Sequence, residues 1–224
     1  MSYINIFWGG FLYKMNHIFL HGLGQNSLSW NKTISFLKDK QHVVCPDLYS
    51  FFTSNVVTYE NLYQAFSKYC NNLSEPLDLC GLSLGAVLSL NYAIDNPKKI
   101  NSLILIAPQY TMPKTLLKIQ NIIFHFMPNS AFSKIGLTKK SFMELTNSMM
   151  NIDFSENIKN ISCPTLILCG EKDKANKKAS KCLSENIIKS EFKLIKNAGH
   201  EVNIDAPKEL AEIINNFYYM HKNN

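Results

Sequence analysis

The sequence predicts an α/β protein: a doubly wound, mostly parallel sheet carrying a short helical insertion. Three observations lead there. Six short apolar runs each end in turn residues, amphipathic stretches separate them, and one segment, residues 109–158, breaks the alternation.

The apolar runs are residues 17–20, 42–45, 77–80, 102–107, 165–169 and 191–195. Continuous apolar runs of this length are expected of strands buried on both faces of a parallel sheet. Helix-like stretches cover residues 30–38, 59–71, 83–95, 175–189 and 207–221. The last is the clearest. Asp205 stands where a cap is needed, Pro207 fits a first turn, and Leu210, Ile213, Ile214 and Phe217 form one apolar stripe. Strand–helix alternation of this kind places ligands outside the carboxyl ends of the strands, so the residues just after each strand are where function is sought.

The insertion has no strand signal but two helix-like pieces, near residues 114–127 and 139–150. It holds Met112, Met127, Met143, Met149 and Met150, five of the eight methionines. Flexible, polarizable Met suits an adaptable apolar surface, so the segment is expected to be a lid over a site. The plainer reading is a helical subdomain packed only for stability.

A length of 224 residues suits one domain, here residues 1–224 with the insertion inside it. With 46% hydrophobic and 18% charged residues, the chain belongs with ordinary globular proteins rather than disordered ones. The net charge of +6 invites a nucleic-acid partner, but every basic residue is Lys. Without Arg the chain lacks the planar fork that reads guanine and phosphate bidentately, and no nucleic-acid binding is expected. No apolar run approaches the roughly 18–20 residues of a membrane span. Nor do the first residues carry the basic region of a secretion signal, so a cytoplasmic location is expected. Residues 1–14 read either as a hairpin or as sequence preceding a native start at Met15. Six cysteines lack any C-x-x-C spacing, and Cys45, Cys80 and Cys169 fall in apolar runs, as reduced core thiols would.

Chemistry enters at Gly81-Leu82-Ser83-Leu84-Gly85, a G-x-S-x-G motif between a strand-like and a helix-like run. A sharp turn there pushes the Ser83 hydroxyl out at the sheet edge, while Gly81 and Gly85 let two backbones pass closely. The following helix aims its N-terminus at the site, favouring developing negative charge. A serine nucleophile needs a base, and the base needs an orienting acid. Of the downstream histidines, His125 lies in the insertion and His221 at the C-terminus; His200 follows a strand in Asn197-Ala198-Gly199-His200-Glu201. His200 is therefore the expected base. Thr165–Asp173 leaves two acids after a strand, and Asp173 is preferred over Glu171 because the intervening residues let it turn back over the strand end. Asp47 precedes Ser83 and is read as satisfying local backbone donors.

An oxyanion hole needs two donors. The Leu84 N–H, directly after the nucleophile, is one. The loop His21-Gly22-Leu23-Gly24-Gln25 offers the Leu23 N–H as the other, with Gly22 and Gly24 permitting close approach and His21 bracing the loop. Such acyl chemistry calls for neither cofactor nor metal, and none is expected.

Taken together, HGLGQ, PDL, GLSLG, GEKD and NAGHEVNIDAP resemble the small α/β-hydrolase-fold superfamily of esterase and lipase-like proteins. The resemblance runs from about Asn16 to the end. It implies a triad of Ser83, Asp173 and His200 with Leu23 and Leu84 as oxyanion donors. A serine at position 83 separates the chain from the dehalogenase and epoxide-hydrolase branches, which use Asp. After Pro46-Asp47-Leu48 many relatives continue Arg-Gly-His-Gly, whereas this chain reads Tyr49-Ser50-Phe51-Phe52. Relatives acting on multiply charged carboxylates, including the lyase of menaquinone synthesis, are expected to need Arg clamps that this chain cannot build. The substrate expected here is a small-molecule carboxyl ester or thioester with a modest apolar acyl group.

Lysines 172, 174, 177, 178 and 181 crowd the Asp173 region. A charge run is usually a solvated face; the sharper reading is a docking surface for coenzyme A phosphates or an acyl carrier protein. The rival from another class is a non-hydrolytic ligand-sensing or regulatory protein on the same fold, marked by very slow turnover beside tight ligand binding.

Overall fold

The computed structural model describes residues 16–52, 56–73, 76–114, 117, 124–133 and 137–221. The expected hairpin or alternative start within residues 1–15, and much of the first insertion helix, lie outside the described residues.

All six expected strands form: β1 (Asn16–Leu20), β2 (Val43–Val44), β3 (Leu77–Leu82), β4 (Ile100–Ile106), β5 (Thr165–Gly170) and β6 (Ser190–Ile195). Their order is β2-β1-β3-β4-β5-β6, and every neighbouring pair is parallel. The chain runs outward from β1 to β2, then returns to β3 on the other side. The switch point of the sheet therefore lies between the carboxyl ends of β1 and β3, where such sheets open a crevice. His21 follows β1 there and Ser83 follows β3.

Side chains alternate across each strand, and both faces are covered. Ile18, Leu20, Leu77, Leu79, Leu103 and Leu105 pack on one face against α2 (Tyr59–Asn71) and α3 (Leu84–Asp95). Phe19, Cys80, Leu82, Ile104, Ile106 and Leu168 pack on the other, against Leu210, Ile214 and Phe217 of the last helix. Two covered faces are why β3, β4 and β5 read as mostly apolar runs, with Asp78 of β3 buried and accepting from Ser102 of β4. The edge strand β6 departs from this, with Glu191 and Lys193 outward and ion-paired at 2.9 Å, a charged edge that resists pairing with another chain. α2 is capped by Thr58, and α3 is the more deeply set, with ten of its twelve residues buried.

Among the described residues the other α-helices are α1 (Asn31–Ser35), α4 (Asn129–Ser133), α5 (Lys139–Ser148), α6 (Lys177–Asn186), α7 (Val202–Asp205) and the long α8 (Pro207–His221). Asp205, expected to cap α8, instead ends α7, and its carboxylate accepts from the Gly199 N–H at 2.7 Å. The chain turns at Ala206, so the carboxylate is aimed at the preceding loop rather than along α8. Among the described residues no helix is long and apolar enough to cross a membrane. All six cysteines are free, and burial pushes the Cys45 thiol up to about 12 and those of Cys163 and Cys169 up to about 11, so they remain neutral thiols.

Close passage of β1, β3 and α3 depends on two glycines. A Cβ at Gly85 would stand 2.3 Å from the Leu20 carbonyl oxygen, and one at Gly81 would stand 2.2 Å from that of Gly85. Backbone, not a flexible side chain, is in the way. Gly85→Ala is expected to destabilise the fold by about 3 kcal/mol or more, read by urea denaturation. A loss under about 1 kcal/mol would mean that α3 shifts freely against β1.

Candidate active site

Ser83 sits in the turn from β3 into α3 at φ 52°, ψ −110°, a left-handed conformation that a residue with a Cβ rarely adopts. Its own backbone holds it there: the N–H donates to Ile106 O at 2.9 Å, and its carbonyl accepts from Val87 N–H at 2.9 Å. Leu84 opens α3, so its N–H is one that a helix leaves without an intrahelical acceptor. Ser83, Leu84, Leu23, Asp173 and His200 all line one cavity of about 660 Å³.

Asp173 and His200 come from loops after β5 and β6. Those strands lie side by side, and the loops are pressed together where a Cβ at Gly170 would stand 2.0 Å from Gly199 O. His200 Nδ1 then meets Asp173 Oδ2 at 2.7 Å. The carboxyl side chain is buried, only 4% exposed, against 43% for the imidazole. Burial alone would raise the Asp173 pKa, but the hydrogen bonds from His200 and Asn176 outweigh it and hold the carboxyl below the usual range. An ionised Asp173 fixes the Nδ1–H tautomer and leaves Nε2 free to take a proton. Glu171, the other candidate acid, is turned away, and its carboxylate accepts from Asn197 N–H at 3.0 Å.

The loop after β1 is held from beneath. His21 is fully buried; its Nδ1–H donates to Gly22 O at 2.9 Å, and its Nε2 accepts from Leu48 N–H at 3.0 Å. Burial lowers its pKa, which favours the neutral ring that these two bonds require. Asp47 accepts from the Tyr49 N–H at 3.0 Å. Gly24, at φ 87°, donates its N–H to the Tyr49 hydroxyl at 2.9 Å. Tyr49, where the chain departs from the Arg-Gly-His-Gly pattern, thus latches this loop. Gly22 is less constrained than expected, since a Cβ there would meet Leu82 O and Ser83 Cβ at 3.5 Å, ordinary contact.

The insertion supplies the apolar wall. Its two ends are stitched by Met112 N–H to Ile152 O at 3.0 Å and Phe154 N–H to Tyr110 O at 2.8 Å, around the antiparallel bridge of Thr111 with Asp153. Met112, Leu117, Met127 and Met149 line the cavity beside an aromatic group in which Phe142 packs edge-on to Phe124 (centroids 4.9 Å) and Phe132 (5.2 Å). Of the expected insertion methionines, Met112, Met127 and Met149 reach the cavity.

Sequence reasoning missed Asn176 and Gln109. Asn176 touches both Asp173 and His200, and Gln109 donates to Asn176 at 2.7 Å. Their signal was faint: an Asn three residues beyond the acid, and the first polar residue after β4.

Residues 18–213 match the model of the alpha/beta hydrolase family, and the chain belongs to that family. Within it, similarity extends to monoacylglycerol lipase ABHD6 of Mus musculus, 22% identical over 92% of this chain and 76% of that protein. It extends also to the pimeloyl-[acyl-carrier protein] methyl ester esterase of Legionella pneumophila (strain Corby), 23% identical over 82% of this chain and 86% of that one. Among solved structures, MenH from S. aureus superposes with a TM-score of 0.76 at 19% identity, covering 97% of this chain and 98% of its own. At that identity the likeness carries the fold alone.

Proposed function

We propose that the chain is a serine ester hydrolase working through an acyl-enzyme on Ser83, with an apolar acyl group seated against the insertion. The observation that carries this reading is Ser83 in its strained turn, opening on the same cavity as an imidazole held by a buried carboxylate. The ester-hydrolase relatives support it. Ser83 Oγ attacks the substrate carbonyl carbon while His200 Nε2 takes its proton. Asp173 stabilises the imidazolium, and the N–H groups of Leu23 and Leu84 receive the oxyanion. Collapse expels the alcohol or thiol with the His200 proton, and water, activated by the same imidazole, releases the acid.

Residues 109–158 act as the lid in this reading. Among the described residues Met and Phe side chains make up most of their cavity lining, and charged side chains make up none. Labelling with a fluorophosphonate tests the nucleophile: adduct on Ser83 in the wild type and none in Ser83→Ala is expected, whereas adduct elsewhere, or none on folded protein, would sink the reading.

A carrier or coenzyme A contact rests on Lys172, Lys174, Lys178 and Lys181, all exposed on the Asp173 loop and α6, next to Ala175 and Asn176 at the cavity. One measurement covers acyl group and carrier: kcat/KM across p-nitrophenyl esters and acyl-CoAs of increasing chain length. Apolar chains are expected to outperform acetyl by about tenfold or more, as a few added methylenes in an apolar pocket do. Lys174→Glu plus Lys178→Glu is expected to raise KM for the CoA thioesters alone. Equal KM values would remove the carrier contact.

A further inference from the structure

We infer that Asn176 is a positioning residue for the Asp173–His200 pair, and that Gln109 holds Asn176 in its working orientation. This rests on the triad reading above. Asn176 approaches the Asp173 carboxylate three times. Its backbone N–H donates to Oδ1 at 3.2 Å, and its side-chain Nδ2 lies 3.0 Å from Oδ1 and 2.9 Å from Oδ2. That grip fixes the plane of the carboxylate and leaves Oδ2 turned to His200 Nδ1. Asn176 Nδ2 is also 3.1 Å from His200 Nδ1, but both are donors to Oδ2, so the asparagine acts on the imidazole through the aspartate.

The polarity of this chain is set at both ends by groups that can only accept. The Asp173 carboxylate demands the nitrogen of the Asn176 amide, which turns its oxygen outward. That oxygen receives Gln109 Nε2 at 2.7 Å, and the same nitrogen lies 3.5 Å from the Ala175 carbonyl, a second acceptor that orients the Gln109 amide. Gln109 stands at the neck of the insertion, one residue before Tyr110, whose carbonyl helps to stitch that neck. Donors therefore run from the insertion neck through Asn176 to the acid. Asp173 is buried, and after His200 the Asn176 amide is the donor that favours its ionised form against desolvation, the form that stabilises an imidazolium.

Asn176→Leu, which keeps volume but donates nothing from its side chain, tests this beside Gln109→Leu and the double variant on a p-nitrophenyl ester. Asn176→Leu is expected to lower kcat about 10- to 100-fold, the scale of one hydrogen bond to a charged group, with KM nearly unchanged. The acid limb of its pH profile should move to higher pH, because Asp173 loses donors to its ionised form. Gln109→Leu should lose about 3- to 10-fold, and the double variant should be no worse than Asn176→Leu, since both act along one path. A raised KM with unchanged kcat and acid limb would make Asn176 a substrate contact and overturn the inference, as would additive losses. If Asn176→Leu does not fold, the acid limb of Gln109→Leu decides: a shift supports the inference and an unmoved limb overturns it. Titration of a carbon-labelled Asp173 carboxyl needs no turnover. Absent labelling of Ser83 would therefore sink the triad reading, while an unmoved Asp173 titration in Asn176→Leu would sink this one.

Discussion

Ser83→Ala is expected to lower kcat on a p-nitrophenyl ester by roughly a hundred-thousandfold or more, leaving only what binding and oxyanion donors supply. Alanine keeps the Cβ, so the strain at φ 52° and the two backbone hydrogen bonds that hold it remain, and the variant should melt close to wild type. The loss is large because no neighbouring group replaces the hydroxyl. Among the described residues the cavity lining holds one other hydroxyl, Thr146, whose Oγ1 already donates to the carbonyls of Phe142 and Met143 at 3.2 and 3.1 Å. Residual activity within about a hundredfold of wild type would place the nucleophile elsewhere.

Asp173→Asn should be the next most damaging change, costing about a thousandfold to ten-thousandfold in kcat with binding preserved. An amide in that place keeps the shape but presents a donor to the imidazole, which favours the wrong tautomer and removes the charge opposite the imidazolium. Glu171→Gln is the control. Its side-chain oxygen would still accept from the Asn197 N–H, so activity within about twofold of wild type is expected. The comparison separates two acids that stand two positions apart in the chain. A large loss at Glu171 with little at Asp173 would reverse the assignment.

Much of the fold was legible because burial on both faces leaves a local mark. The runs at residues 77–80, 102–107 and 165–169 are apolar but for one position each, Asp78, Ser102 and Thr165, and they became three of the interior strands. Helices at Tyr59–Asn71 and Pro207–His221 took the bounds their patterns gave, the second because a first-turn proline and an apolar stripe agree with one another. Edges were read less well. Only Val43–Val44 pairs in the second run, and β6 alternates between cover and solvent, since an edge strand lacks a second neighbour to demand burial. Asp205 looked like a cap because its position before Pro207 is local information, whereas its partner, the Gly199 N–H, is set by how α7 folds back.

For the site the division is sharper. The motif around Ser83 and the strand-end positions of Asp173 and His200 follow from local pattern, because a nucleophile turn needs its glycines and a sheet presents residues at its carboxyl ends. The sequence by itself thus determined the sheet, the turn that holds Ser83 and a short choice of acids at the strand ends. Tertiary structure alone set Asp173, rather than Glu171, against His200, by pressing the β5 and β6 loops together at Gly170 and Gly199. It alone joined Gln109, Asn176 and Asp173, and put Tyr49 against the loop after β1. The physical reason is range. Propensity and periodicity act over a few residues, whereas a buried carboxylate collects its donors from whichever segments the packed core leaves beside it.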